Sequence, residues 1–234
     1  GQRYFLEKFG RPARVGFNPD SFGHPYTLPQ ILLGQDLTSY FFMRPGQHEM
    51  ADIKAPIFNW KGPDGSEILA FQILNRYNAD TGNIEKQFGI YADRFAKDQP
   101  RVKDWMVFFG VGNHGGGPTR EAMREIAKLR EKYSGLGYLS LEDYVERIRS
   151  AGIDPPVIED ELQHHARGCY SACANVKMWN HRAENALLDA EKIASAATLL
   201  TGACAYPDQV LRESWKKVLF NQFHDIMAGS SLEE

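Results

Sequence analysis

The chain has 234 residues, 43% of them hydrophobic, and 27 basic against 30 acidic side chains leave a formal charge of −3. That is enough apolar material for one sizeable core, or for a domain with a smaller companion. The interspersed charges lack the basic excess of a nucleic-acid binder, and no apolar run is long enough for a membrane-spanning helix, so neither partner is expected.

Taken in chain order, Arg14-Val15-Gly16-Phe17 reads as a short strand. It leads into GFNPDSFGH, residues 16–24, where a carboxylate, a hydroxyl and an imidazole crowd together behind a proline. Asp20 fits two roles there: a turn former or N-cap ahead of a helix over Leu28–Leu33, or a carboxylate at the rim of a site. A turn at 62–65 (GPDG) precedes a strand over residues 67–74. The continuous apolar run at 105–111 (WMVFFGV) is expected to be a strand buried on both faces. It runs into the glycine-rich loop GVGNHGGGPT, residues 110–119, and Thr119 then caps an amphipathic helix from Arg120 to Lys132. A second strand at 138–140 and a helix from Leu141 to Ser150 complete the rhythm of an α/β domain with a mostly parallel sheet. Beyond residues 152–156 (GIDPP) the texture changes. Apolar residues at spacings of three and four predict one long helix over 173–200, ended by Gly202, and a second beginning at Pro207-Asp208. The expected organisation is an α/β domain over 1–155 and a helical bundle over 156–234.

In α/β domains, ligands gather where loops leave the carboxyl ends of strands, and both GFNPDSFGH and GVGNHGGGPT follow predicted strands. The glycine-rich loop lacks the Lys-Ser/Thr ending of a P-loop and the GxGxxG spacing of a dinucleotide fold. With Asn113 and His114 offering directional hydrogen bonds, it reads as a loop beside a sugar. Near the other end, NQFHDIMAGSS (221–231) carries His224 close to an apolar face. That histidine suits either a satisfied core position or, with the neighbouring Asp225 orienting it, a metal ligand. Cys169, Cys173 and Cys204 cannot all pair and fit no zinc ribbon, so a reducing compartment, the cytoplasm, is expected. The start without methionine and the closing Gly-Ser turn read as a segment of a longer protein.

Five stretches in order, GFNPDSFGHPYTLPQIL, FMRPGQHEM, GVGNHGGGPT, RGCYSACANVK with the following NHRAENALL, and NQFHDIMAGSS, resemble family 38 of the glycoside hydrolases. These are the retaining α-mannosidases. The resemblance implies a partial (β/α) seven-stranded-type barrel or sheet, then a three-helix bundle that returns a histidine to the site. It implies Asp20 as catalytic nucleophile and zinc ligand, His224 as zinc-binding histidine, and Asp225 as the acidic residue beside it. Arg44 matches an arginine near the nucleophile, while Trp60 and Tyr77 either line a sugar subsite or pack the core. The implied substrate is an α-mannoside or oligosaccharide, cleaved by double displacement with zinc on the sugar hydroxyls.

Two further zinc ligands, a His and an Asp, are expected upstream of Asp20, yet none of the nineteen residues before it is either. The family's acid/base is expected at 112–114, where Asn113 cannot serve, and His114, Asp64 and Asp80 remain candidates. Two other readings of the chain are a non-catalytic mannose-binding relative and a metal-dependent carbohydrate deacetylase. Oligomeric state leaves no mark in the sequence.

Overall fold

The computed structural model describes every residue except 47, 51, 52, 54, 80, 81, 113–115, 164, 203 and 232–234, and the chain divides into two units, 1–165 and 166–234. In the first unit the elements are α1 (Gln2–Phe9), β1 (Val15–Asn18), α2 (Leu28–Leu33), β2 (Ser39–Phe42), β3 (Ile57–Lys61) and β4 (Glu67–Gln72). They continue with α3 (Ile84–Asp98), α4 (Arg120–Lys132), α5 (Leu141–Ser150) and β5 (Val157–Ile158). The strands form one sheet in the order β1-β2-β4-β3-β5. β1, β2 and β4 run parallel, β3 pairs antiparallel with β4 through the turn at 62–66, and β5 pairs parallel with β3.

Side chains alternate across the pleat into two cores, as the two-residue period of a strand demands. Phe41, Ile57, Leu69 and Phe71 point to one face, where Tyr91 and Phe95 of α3 and Tyr144 and Ile148 of α5 cover them. Tyr40, Phe42, Phe58, Trp60 and Ile68 point to the other, under Leu32 of α2 and Leu162. All four residues of β2 are buried, the signature of a parallel strand covered on both faces. The helix boundaries follow their caps: the Thr119 hydroxyl accepts from the Ala122 N–H at 3.0 Å, and the Ser140 hydroxyl from the Asp143 N–H at 3.1 Å.

The run at 105–111 is not a buried strand. Gly110 meets Ala79 in an isolated bridge, Trp105 is 39% exposed, and no ladder forms along the rest. Met106, Val107 and Phe108 pack on the α3–α5 core instead, with Phe108 stacked on Phe17 at 5.9 Å. An apolar run asks for contact, and here side-chain contact supplies it without hydrogen-bonded pairing. Residues 138–140 likewise form no strand, and Ser140 serves as the α5 cap. Residues 156–165, which composition groups with the helical half, run along the first unit. β5 joins the sheet, the Asp160 carbonyl accepts from the Trp60 indole N–H at 2.8 Å, and Leu162 bridges to His24.

The second unit contains α6 (Ala174–Thr201), α7 (Asp208–Asn221) and the short α8 (His224–Ala228). Gly202 ends α6 in the left-handed region at φ 62°, where glycine carries no side-chain penalty. The Trp215 indole N–H donates to Glu191 at 2.7 Å and the Gln222 amide to Glu184 at 2.6 Å, tying α7 to α6. Among the described residues no helix is long and apolar enough to cross a membrane.

Beneath the carboxyl ends of the parallel strands lies His24, only 2% exposed. Its Nε2 meets the Arg44 carbonyl at 3.0 Å, and its Nδ1 meets the Tyr40 hydroxyl at 2.9 Å. A carbonyl can only accept, so Nε2 carries the proton and Nδ1 accepts from Tyr40. Burial pushes this imidazole down to about 4, partly opposed by the Arg44 carbonyl. The unfolded chain therefore takes up the proton first as pH falls. Stability from His24 is complete above the ordinary value of 6.5 and is lost as pH falls from there to about 4. Urea unfolding of this unit, followed on the amides of β2 and β4, is expected to lose up to about 3 kcal/mol across that window. His24→Leu, less stable at neutral pH, should flatten the slope; an unchanged slope would assign it to other groups.

Candidate active site

The parallel register builds the site. Asn18 of β1 pairs with Phe42 of β2, and Phe42 with Gln72 of β4, so three strands end side by side. Two residues past these aligned ends stand Asp20 and Arg44, and the Arg44 Nε–H donates to Asp20 Oδ1 at 2.6 Å. Their side chains are 25% and 33% exposed, a position at a rim rather than in a core. Beside Arg44 opens a cleft of about 640 Å³, lined among others by Gln72, Asn75, Tyr77 and Asn78, which leave the end of β4.

GFNPDSFGH owes its shape to contacts at both glycines. A Cβ on Gly16 would stand 2.7 Å from the Tyr40 ring, and one on Gly23 2.7 Å from the Leu162 carbonyl oxygen. Gly23 also sits at φ +129°, a conformation that L side chains rarely adopt. This close approach lets the His24 N–H donate to the Leu162 carbonyl at 2.8 Å, and the Leu162 N–H return the bond at 2.9 Å. Phe22 lies with its ring 6.0 Å from the Arg44 guanidinium and edge-on to the His165 ring at 5.5 Å. Gly23→Ala should therefore cost about 1–3 kcal/mol, read as a lower denaturation midpoint for the first unit; an unaffected midpoint would mean the loop relaxes around a side chain.

Two groups that the sequence did not single out complete the surroundings of Arg44. Its Nη1 lies 3.2 Å from Nε2 of His165, and Nδ1 of that histidine is hydrogen-bonded to Glu49. Glu49 also accepts from the Gly46 N–H at 2.7 Å. The signals were present, a carboxylate inside FMRPGQHEM and a histidine just ahead of RGCYSACANVK, but nothing in their spacing joins positions 116 residues apart.

Tyr77 is half-buried on the cleft wall with Arg44. Trp60, expected among groups able to meet a sugar, is fully buried under α2 and its N–H is satisfied by Asp160, so it packs the core. Asp64 is a poor proton donor to a sugar. It sits in the turn before β4, at the opposite end of the parallel strands, where the Ser66 hydroxyl and N–H hold its carboxyl below the ordinary range. Asn113, His114 and Asp80 lie outside the described residues. The described start of their loop does come to this end of the sheet: a Cβ on Gly112 would stand 2.7 Å from the Asn78 side chain.

In the second unit, His224 opens α8 with its ring 4.2 Å from that of Phe223, and its Nε2 lies 3.8 Å from Asp225 Oδ2. Asp225 accepts from the Ser230 hydroxyl at 3.0 Å, and its carbonyl accepts from the N–H groups of Ser230 and Ser231. The zinc implied by the resemblance needs three or four ligands. Among the described residues no three His, Cys, Asp or Glu side chains converge, and the Asp20 carboxylate is engaged by Arg44. The described donors therefore do not by themselves fit a zinc site. Calorimetric titration of the 234-residue chain with zinc should show no tight stoichiometric phase; tight binding abolished by Asp20→Ala would overturn this.

Comparison with known proteins gives the geometry its setting. Residues 1–166 match the glycosyl hydrolases family 38 N-terminal domain, and residues 164–234 the alpha mannosidase middle domain. Over its whole length the chain is 29% identical to an alpha-mannosidase of Saccharomyces cerevisiae and 28% identical to alpha-mannosidase 2C1 of Homo sapiens. It spans 22% of the length of each of these relatives. Its fold is similar to that in the crystal structure of an alpha-mannosidase from Enterococcus faecalis V583, with a TM-score of 0.78 at 23% identity, over 97% of this chain and 27% of that one. With the N-terminal domain of the family matched across the whole first unit, the chain belongs to family 38 of the glycosyl hydrolases.

Proposed function

We propose that the whole protein carrying this chain hydrolyses α-mannosides with retention of configuration, and that Asp20 is its nucleophile. The observation that supports this most directly is the pairing of Asp20 with Arg44 at 2.6 Å, at the carboxyl ends of three parallel strands and beside an open cleft. The relatives named above are alpha-mannosidases, which supports mannosides as the substrate class.

In this reading an oxygen of the Asp20 carboxylate bonds to the anomeric carbon while the bond to the leaving oxygen breaks. The leaving oxygen takes a proton from an acid. Water then attacks the glycosyl ester and gives its own proton to the conjugate base, and the carboxylate is restored as mannose departs. Arg44 holds the carboxylate in one orientation, so that little reorganisation remains at the moment of attack. The loop with Asn113 and His114 supplies contacts to the substrate, and His114 and Asp80 are the candidate acids. Tyr77 contributes a hydroxyl from the cleft wall. Zinc, implied by the resemblance, would need further ligands from the rest of the whole protein; Asp20 and His224, with Asp225 beside the latter, are each candidates.

The test is hydrolysis of an aryl α-mannoside by the whole protein, with mannose released first as the α-anomer. Asp20→Ala should abolish turnover, and a 2-fluoro mannosyl fluoride should label Asp20, seen as a mass increment on its peptide. Retained turnover in Asp20→Ala refutes the nucleophile. A wild-type protein that binds mannose but is inert, or that releases acetate from an acetylated sugar, refutes the glycosidase.

A further inference from the structure

We propose that Glu49 and His165 are positioning residues, which fix the Arg44 guanidinium so that its Nε–H faces Asp20; the proposal rests on the reading of Asp20 as nucleophile. Guanidinium is a donor only, so at the 3.2 Å contact His165 Nε2 must accept from Arg44 Nη1. That places the imidazole proton on Nδ1, where it donates to Glu49. The result is an unbroken chain with donation outward from Arg44: its Nε–H goes into Asp20 and its Nη1–H into His165, while the His165 Nδ1–H and the Gly46 N–H both donate into Glu49.

Each link suits the task. Burial alone would raise the Glu49 carboxyl, but the Gly46 N–H and the His165 hydrogen bond outweigh it and hold it below the ordinary value. An ionised Glu49 accepts from both. Arginine is long and rotamer-rich, with about 2 kcal/mol of side-chain entropy to lose on being fixed. Here it is held at three places: its carbonyl by His24 Nε2–H, its flank by Phe22, and its Nη1 by His165. Only the Nε edge is turned to the nucleophile. Two of these anchors come from the loop after β1 and the third from the segment after β5, so the arginine, itself in the loop after β2, reports the packing of all three segments.

The experiment has two arms. In the ¹⁵N-labelled 234-residue chain, His165 should show the Nδ1–H tautomer, the minor form of free histidine, and Arg44 a sharp, slowly exchanging Nε–H signal. Glu49→Gln keeps the side-chain shape and the acceptor for Gly46 but turns a donor towards His165. It should convert His165 to the Nε2–H form and broaden the Arg44 signal, with the backbone amides of β2 and β4 unmoved. His165→Phe should broaden the same Arg44 signal. In the whole protein, each substitution should lower kcat roughly 10–100-fold with KM for the aryl mannoside little changed, and the loss should vanish on an Arg44→Lys background. An Nε2–H tautomer in the unaltered chain, an Arg44 signal indifferent to both substitutions, or an undiminished loss on the Arg44→Lys background overturns the inference. If the whole protein is inert while the spectra behave as described, the glycosidase reading fails and Arg44 is still held by this pair.

Discussion

Phe42 pairs with Asn18 on one side and with Gln72 on the other, and that parallel register is what the rest of the first unit depends on. It brings three chain segments to a common edge with their loops pointing the same way. Residues far apart in sequence then become neighbours by position alone, two steps past the last aligned pair. The register is itself held from both sides. A one-residue slip would turn Phe41 and Phe71 out of one core and Tyr40 and Ile68 out of the other. Aromatic packing therefore enforces the polar geometry at the rim, although no aromatic of β2 reaches it.

The stretch that carries Asp20 serves two purposes at once. Its glycines are where the backbone passes under the Tyr40 ring and against Leu162, and its histidine is a buried, neutral pin between Tyr40 and the Arg44 carbonyl. Because His24 bonds the main chain of Arg44 and Asp20 bonds its side chain, the β1 loop grips the same residue at both ends. A carboxylate that attacks an anomeric carbon gains from such prior fixation, since the cost of orientation is met in folding rather than during reaction.

The first unit extends through residue 165 because described residues of a short polar and apolar segment find partners in it. Ile158 pairs in the sheet, Asp160 meets Trp60, Leu162 meets His24, and His165 meets Arg44 and Glu49. The second unit is organised differently, by two long helices joined through Glu191–Trp215 and Glu184–Gln222 contacts and a short helix opened by His224.

Some features could be read from residues in a row, because the interactions that make them are local. Thr119 marks a helix start through a bond to the amide three residues on, Gly202 ends α6 by its own backbone freedom, and the ordered motifs identify the family. Arg44 stood out for the last reason only, and Asp20 for that and for its place after a predicted strand; their spacing says nothing about a 2.6 Å contact. What the tertiary structure decided was pairing. It left the apolar run at 105–111 without a ladder, made SYFF at 39–42 the strand buried on both faces, and put Trp60 in the core. It also joined Glu49 to His165, a contact that depends on β5 entering the sheet beside β3. Hydrophobic pattern records that a side chain seeks burial, while which surface receives it is settled only when the whole sheet assembles.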